Sequence, residues 1–269
     1  MNKIQVALVQ TCSKLSVETN LYQIGQLLNE KLIVHPDVLV LPECFASMGG
    51  VLANVAKEIA HIKRWMSEQA SNYSCWVVGG TVPYLHENET KFRASCFVYD
   101  PQGNERARYD KIHLFDAKVV DSKGLYQESD EYLPGNTPTV IIMGDVPFRC
   151  LGLSVCYDLR FPELYRALVE LGANILCVPS AFTQVTGKAH WEPLLRARAI
   201  ENQCIVIAAN QGGWHAGDRE TWGHSMIISP WGEILAEAGT EPTVLSVNID
   251  LSMLYELRAT MPCYDHRRL

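Results

Sequence analysis

Short runs made almost wholly of apolar residues recur through this chain, and they alternate with segments of helical periodicity. Val38-Leu39-Val40-Leu41 is ended by Pro42, and residues 204–209 (Cys-Ile-Val-Ile-Ala-Ala) carry no polar side chain. Runs this short and this apolar read as buried strands, which need cover from other layers. Residues 4–10, 76–82, 150–155, 174–178 and 243–250 read as further strands. Asp100-Pro101-Gln102-Gly103 marks a hairpin between residues 94–99 and 105–109, and Pro230-Trp231-Gly232 marks another between 223–229 and 233–238. Leu21, Ile24, Leu28 and Leu32 fall on one helical face behind Ser16, a candidate N-cap. Further helices are predicted over residues 53–68, 190–202 and 251–258, and from Pro162 to a stop at Gly172. Strands outnumber helices, and hairpins mix with crossovers, which favours an α/β fold with mixed sheets. No Pro/Ser-rich linker and no tandem repeat interrupts this order, so residues 1–269 read as one domain.

Composition narrows the class of partner. Against 23 Lys and Arg stand 30 Asp and Glu, a formal net charge of −7, whereas a protein that coats phosphates is normally basic. Nucleic acid is therefore not an expected partner. No apolar run approaches the ~18 residues of a membrane span, so no membrane is expected either. The first ten residues read as a strand and not as a leader. Nine cysteines, an odd number without a regular framework, point to a reducing, cytoplasmic setting. Most lie inside apolar runs, where a thiol packs as a small hydrophobe. There is no Cys-x-x-Cys pair, and no metal site is expected.

In open α/β sheets ligands collect beyond the carboxyl ends of strands. Glu43, Lys111 and Cys156 each follow a predicted strand. A cysteine at a strand-to-helix turn is placed for nucleophilic attack, with a nearby helix N-terminus favouring its thiolate. It needs a proton acceptor, for which Glu43 is the candidate, and a donor for the oxyanion, for which Lys111 is the candidate. Each residue also has an ordinary reading: a solvated turn for Glu43, a core thiol for Cys156. Spacing suggests a site here without establishing it.

Three blocks carry more weight. Leu41-Pro42-Glu43, Tyr109-Asp110-Lys111-Ile112-His113-Leu114-Phe115-Asp116 and Cys156-Tyr157-Asp158-Leu159-Arg160-Phe161-Pro162-Glu163 occur in that order. Pro179-Ser180-Ala181-Phe182, Trp222-Gly223-His224-Ser225-Met226 and His266-Arg267-Arg268 follow. Together they resemble the nitrilase superfamily, the carbon–nitrogen hydrolases, over nearly the whole chain. The resemblance implies a four-layer α-β-β-α sandwich that pairs into homodimers. It also implies Glu43 as general base, Lys111 as oxyanion stabiliser, Cys156 as nucleophile, and the Tyr157 N–H as a second oxyanion donor. A second glutamate is expected as well, Glu128 before Glu131. No metal and no organic cofactor is implied.

Tyr157-Asp158 after the nucleophile fits the amidase branches, and the run from Cys156 to Asn202 resembles the Nit group. The expected substrate is then a small-molecule amide. Foremost is deaminated glutathione, cleaved to 2-oxoglutarate and cysteinylglycine; the alternative is an ω-amidase acting on 2-oxoglutaramate. Residues 44–50 depart from the group's pattern, and their small side chains suit an open or mobile rim. Arg160, Arg196, Arg198 and Lys118 are candidate anchors for a substrate carboxylate. Two other classes compete: an inactive binding protein on the same fold, and a papain-like hydrolase pairing Cys156 with His190. The second is disfavoured because His190 reads as a buried structural histidine.

Overall fold

The computed structural model describes residues 2–144 and 149–268. In chain order the first half comprises β1 (Lys3–Gln10), α1 (Val17–Lys31), β2 (Val38–Leu41), α2 (Leu52–Lys57), α3 (Ile59–Tyr73), β3 (Trp76–Gly79), β4 (Val82–Tyr84), β5 (Arg93–Tyr99) and β6 (Glu105–Asp110). Three short strands follow, β7 (Asp116–Lys118), β8 (Leu125–Gln127) and β9 (Thr139–Ile142). The second half runs β10 (Cys150–Leu153), α4 (Pro162–Glu170), β11 (Ile175–Cys177), α5 (Gln184–Asn202), β12 (Ile205–Ala208), β13 (Gly212–His215) and β14 (Arg219–Trp222). It closes with β15 (Met226–Ile228), β16 (Ile234–Glu237), β17 (Thr243–Asp250) and α6 (Ser252–Thr260).

Two mixed sheets carry the architecture. One has the order β17-β1-β2-β3-β5-β4, with β6 also paired to β5; the other runs β16-β15-β12-β11-β10-β9. At the heart of each lie three parallel strands, β1-β2-β3 and β10-β11-β12. The side-chain period of two explains why β2 has no polar residue. Val38 and Val40 pack with Leu151, Leu153 and Ile175 between the sheets. Leu39 and Leu41 point the other way and pack against the outer helices, with Ile24 and Leu28 of α1 and Ile62 and Met66 of α3. On the opposite side α4 and α5 cover the second sheet with Leu164, Leu168, Trp191 and Leu195. The result is the expected α-β-β-α sandwich. Fully burying such a side chain is worth about 1.5–3 kcal/mol, so both faces of these strands contribute.

Three predicted elements need correction. The helix expected over residues 53–68 is two helices sharing Glu58, whose backbone (φ −89°, ψ 4°) leaves the helical path. The strand expected over residues 76–82 is broken between β3 and β4, which both pair with β5. Gly80 makes the break at φ +46°, and a Cβ there would lie 1.9 Å from the Pro42 carbonyl oxygen, so only glycine fits. Helix α5 starts at Gln184 and not at His190. Thr183 caps it by accepting a hydrogen bond from the Thr186 N–H, and Gly187 sits so close to Trp222 that a side chain would clash. Strands β7, β8, β9, β13 and β14 are not among the predicted elements, although β9, Thr-Val-Ile-Ile behind Pro138, carries a β-branched signal that could have found it.

Candidate active site

The three strand-end residues converge. Glu43 leaves the end of β2 and Lys111 the end of β6, both in the first sheet; Cys156 follows β10 in the second. All three are at least nine-tenths buried, at 5%, 2% and 7% exposure. The Lys111 Nζ donates to Glu43 Oε1 at 2.8 Å and to both carboxylate oxygens of Glu128 at 2.8 and 3.0 Å. Glu128 is itself held by the Phe115 N–H at 2.7 Å. Glu131 lines the same cavity, but the bonds to Lys111 belong to Glu128. The Lys111 backbone is pinned on both sides, its N–H to Ala94 and its carbonyl to Gly135.

Burial and charge set the ionisation of this cluster. Burial works to raise the Glu43 carboxyl, but the Lys111 ammonium and its hydrogen bond overcome it and hold the group below the usual carboxylate range. Burial likewise opposes the charge on Lys111, and Glu128 and Glu43 outweigh it, so the ammonium is held well above its ordinary range. Cys156 goes the other way. Burial first, then the Glu43 carboxylate, push the thiol far up, with Lys111 offsetting only part. Both influences favour the neutral thiol, and Cys156 and Glu43 line the same cavity. The help expected from a helix N-terminus is small here: Cys156 opens only a short 3-10 segment, and burial is the largest influence on the thiol.

The nucleophile loop is held in a demanding geometry. Cys156 has φ +49°, a left-handed conformation that costs a residue with a Cβ. Its N–H donates to the Pro179 carbonyl. Asp158, wholly buried, over-determines the turn: it accepts from the Val155 N–H, the Tyr109 hydroxyl and the His113 N–H, and pairs with His113 Nδ1 at 2.7 Å. Since Tyr109 and His113 flank Lys111, one carboxylate ties the lysine segment to the cysteine segment.

These groups open onto a cavity of about 290 Å³. Cys44, Ala46, Ser47, Met48, Gly49 and Gly50 form part of its wall, as expected, but the rim is not loose. Phe45, Ala46 and Met48 are buried, and the segment is stapled to residues 13–20 through Ser13 Oγ to the Phe45 carbonyl, Ser47 Oγ to the Leu15 carbonyl and Asn20 Nδ2 to the Ala46 carbonyl. Thr81, set by the break at Gly80, receives the Cys44 N–H. Burial pushes the Cys44 thiol up to about 12.

The four candidate anchors fare differently. Arg198 is buried and donates to the Leu159 carbonyl and to Glu201, a structural role. Arg196 pairs with Glu192 one turn away, and Lys118 is exposed on β7. Arg160 lines a small apolar recess beside Cys156 with Phe182 and Thr186, and stacks over Tyr157 and Phe182. His190 is exposed, contrary to its reading as a buried histidine, and its Nδ1 lies 3.2 Å from Arg160 Nη1. The cavity's own further cations are Arg219 on β14 and Lys123 before β8. Both were missed, because each sits in a turn-rich stretch where periodicity carries no signal. Among the described residues no cluster of His, Cys, Asp and Glu has the makings of a metal site, and no helix is long and apolar enough to cross a membrane.

The carbon-nitrogen hydrolase family model matches residues 5–259. A deaminated glutathione amidase of Yersinia enterocolitica is 40% identical over 282 residues, covering 100% of this chain and 94% of that one. An ω-amidase of Xenopus laevis is 36% identical over 271 residues, covering 100% and 96%. In three dimensions the NitFhit protein of C. elegans superposes with a TM-score of 0.90 at 34% identity, covering 100% of this chain and 66% of the longer protein.

Proposed function

The chain belongs to the carbon–nitrogen hydrolase family, and on that premise we propose that it cleaves amides through a thioester on Cys156, with Glu43 as the base and Lys111 as the oxyanion partner. The observation that carries this reading is the buried constellation itself: Cys156, Glu43 and Lys111 line one cavity, with the Lys111 Nζ 2.8 Å from the Glu43 carboxylate.

Glu43 takes the Cys156 proton as sulfur attacks the amide carbon. The oxyanion meets the Lys111 ammonium and the Tyr157 N–H. The proton on Glu43 passes to the departing nitrogen, the C–N bond breaks, and an acyl thioester remains. Glu43 then takes a proton from water, hydroxide adds to the thioester, and the acid leaves as the thiolate recovers its proton. Glu128 keeps Lys111 charged and aimed throughout, a role Glu131 does not share. An inactive protein on this fold would have no use for an intact buried triad, and an exposed His190 is a poor base for a papain-like alternative.

Deaminated glutathione is the preferred substrate, giving 2-oxoglutarate and cysteinylglycine. The 40% identical amidase and the small-residue wall of the cavity support it. The second reading, an ω-amidase acting on 2-oxoglutaramate, is favoured by the Xenopus relative. In the same reading the enzyme is a cytoplasmic homodimer of one-domain subunits, needing neither metal nor organic cofactor. Side-by-side kinetics decide between the substrates: kcat/KM for deaminated glutathione is expected to exceed that for 2-oxoglutaramate by at least about tenfold, a difference of roughly 1.4 kcal/mol. An equal or inverted ratio selects the ω-amidase. Mass spectrometry of enzyme with substrate should find the acyl group on Cys156; a label on Cys44 or Cys150 would defeat the mechanism.

A further inference from the structure

The candidate site contains two left-handed backbone positions outside glycine: Cys156 itself, at φ +49°, and Cys44, at φ +56°, directly after Glu43. Such a conformation persists only where its surroundings over-determine it. Glu43 and Cys156 also stand at the ends of strands in different sheets, so a fixed distance between them needs a tie across the sheets. Gln211, wholly buried beyond the end of β12, is placed to meet both needs, although it is not among the residues that line the cavity.

Its side chain faces the base. Nε2 donates to the Glu43 carbonyl at 2.9 Å and to Ser13 Oγ at 2.8 Å, while Oε1 accepts from the Ser13 N–H at 3.0 Å. Ser13 Oγ in turn donates to the Phe45 carbonyl at 2.9 Å. The directions interlock: a carbonyl only accepts and a backbone N–H only donates, so the amide has a single orientation. The carbonyls on both sides of Cys44 are thus held by one pair of wholly buried side chains, Gln211 and Ser13. The backbone of Gln211 faces the nucleophile. Its N–H donates to the Ser180 carbonyl, and the Pro179 carbonyl one residue earlier accepts the Cys156 N–H. Gln211 also bridges to Thr11 beyond β1, and Asn210 to Ser180 beyond β11, so the two sheets are joined at this corner.

We propose that Gln211 is a positioning residue that sets the Glu43 carboxylate against the Cys156 sulfur, acting through the backbone next to each. The inference rests on the amidase reading and adds to it a residue outside the cavity. A base works only from a fixed place, and a misplacement of about 1 Å caused by a change remote from the chemistry can cost ~10² in rate. Because Glu43 is tied through its own carbonyl, loss of the tie acts on the base before it acts on anything that touches substrate.

The test is Gln211→Met, of similar volume but without the amide, assayed with whichever of deaminated glutathione and 2-oxoglutaramate wild type cleaves faster. The kcat should fall at least about tenfold while KM stays within about twofold, since Gln211 touches no substrate. The acidic limb of the kcat/KM profile should move to higher pH, because a Glu43 that drifts from Lys111 loses the influence that holds its carboxyl down. A second readout needs no turnover: the pH dependence of Cys156 alkylation by iodoacetamide, followed by peptide mass spectrometry. Its midpoint should move to lower pH, the direction expected of Glu43→Gln, because the carboxylate that raises the thiol has receded. Labelling of Cys177, wholly buried in β11, should stay at the wild-type level and reports that the fold is kept. If Gln211→Met does not fold, Ser13→Ala carries the same readouts at smaller size, about two- to fivefold in kcat, because it removes the hydroxyl between Nε2 and the Phe45 carbonyl. A folded variant with kcat within about twofold of wild type for Gln211→Met, or with an unmoved alkylation midpoint, overturns the proposal and leaves Gln211 a structural joint between the sheets. If wild type cleaves neither amide, the amidase reading fails on its own; the alkylation midpoint still decides for Gln211, a shift upholding the placement and an unmoved midpoint overturning it.

Discussion

Two groups of charges in the cavity wall are built on opposite principles. Glu43 and Glu128 are both hydrogen-bonded to Lys111 and pinned by backbone contacts, with Glu43 and Lys111 deeply buried. Arg219 instead rides on the β13–β14 hairpin, partly exposed, with most of its donors unspent. The first group resembles a preorganised reaction centre, whose dipoles and charges are in place before substrate arrives. The second rests on a peripheral element of the fold. Chemistry needs positions that cannot relax, so it is placed at the ends of core strands; selectivity tolerates, and uses, a peripheral hairpin.

The sharpest way to break this contrast is at the sulfur. Cys156→Ala and Cys156→Ser should each cost about 10⁴-fold or more in kcat with the fold retained, since a serine hydroxyl is far less ionised than a thiol. Circular dichroism alongside the assay separates loss of chemistry from loss of structure.

Next come Glu43→Gln and Lys111→Met, each expected to lower kcat by at least ~10²–10³. Their stabilities should differ. Lys111→Met leaves two carboxylates facing each other without their cation and should destabilise by about 3–5 kcal/mol, whereas Glu43→Gln keeps a hydrogen-bond acceptor beside the ammonium. Denaturant titration reads this directly, and an active Lys111→Met would move the reaction centre elsewhere. Around the same lysine, Glu128→Gln should lose more activity than Glu131→Gln; the reverse order would reassign the second glutamate. A chelator should leave turnover intact and a thiol alkylator should abolish it.

The smallest effect on chemistry is expected from the hairpin's own fastening. His215 Nδ1–H donates to the Ser13 carbonyl at 2.9 Å, and its Nε2 lies 2.7 Å from the Thr221 hydroxyl, which donates to it when the ring is neutral. Burial, with help from Arg219 and Lys14, takes its pKa from 6.5 down to about 4 despite the Ser13 bond. The unfolded chain binds the proton first, so this contribution is complete above pH 6.5 and is lost as pH falls toward 4, at most about 3 kcal/mol. Unfolding free energies measured across that window should slope downward for wild type and lose part of the slope in His215→Gln. An unchanged slope would show that the hairpin is not fastened through this ring.

Much of this protein was written locally in its sequence. The period-two burial of β2, the N-cap at Ser16, the hairpin at Asp100–Gly103 and the stop at Gly172 all depend on neighbours a few residues away, so reading along the chain finds them. Glu43, Lys111 and Cys156 were candidates for the same reason, each at a strand end, and their roles came from the resemblance to the carbon–nitrogen hydrolases. Tertiary structure decided what depends on distant partners. Glu128 and Glu131 are three residues apart, and only the folded chain shows which one reaches Lys111. Gly80 breaks a strand because Pro42, far back in the chain, occupies the space a side chain would need. The Cys156 thiol is pushed up by burial and by Glu43 together. Arg219 became visible only when folding carried a surface hairpin to the mouth of the site. Periodicity is a property of adjacent residues, whereas ionisation and unspent hydrogen bonds are set by what the fold brings near and by how much water it excludes.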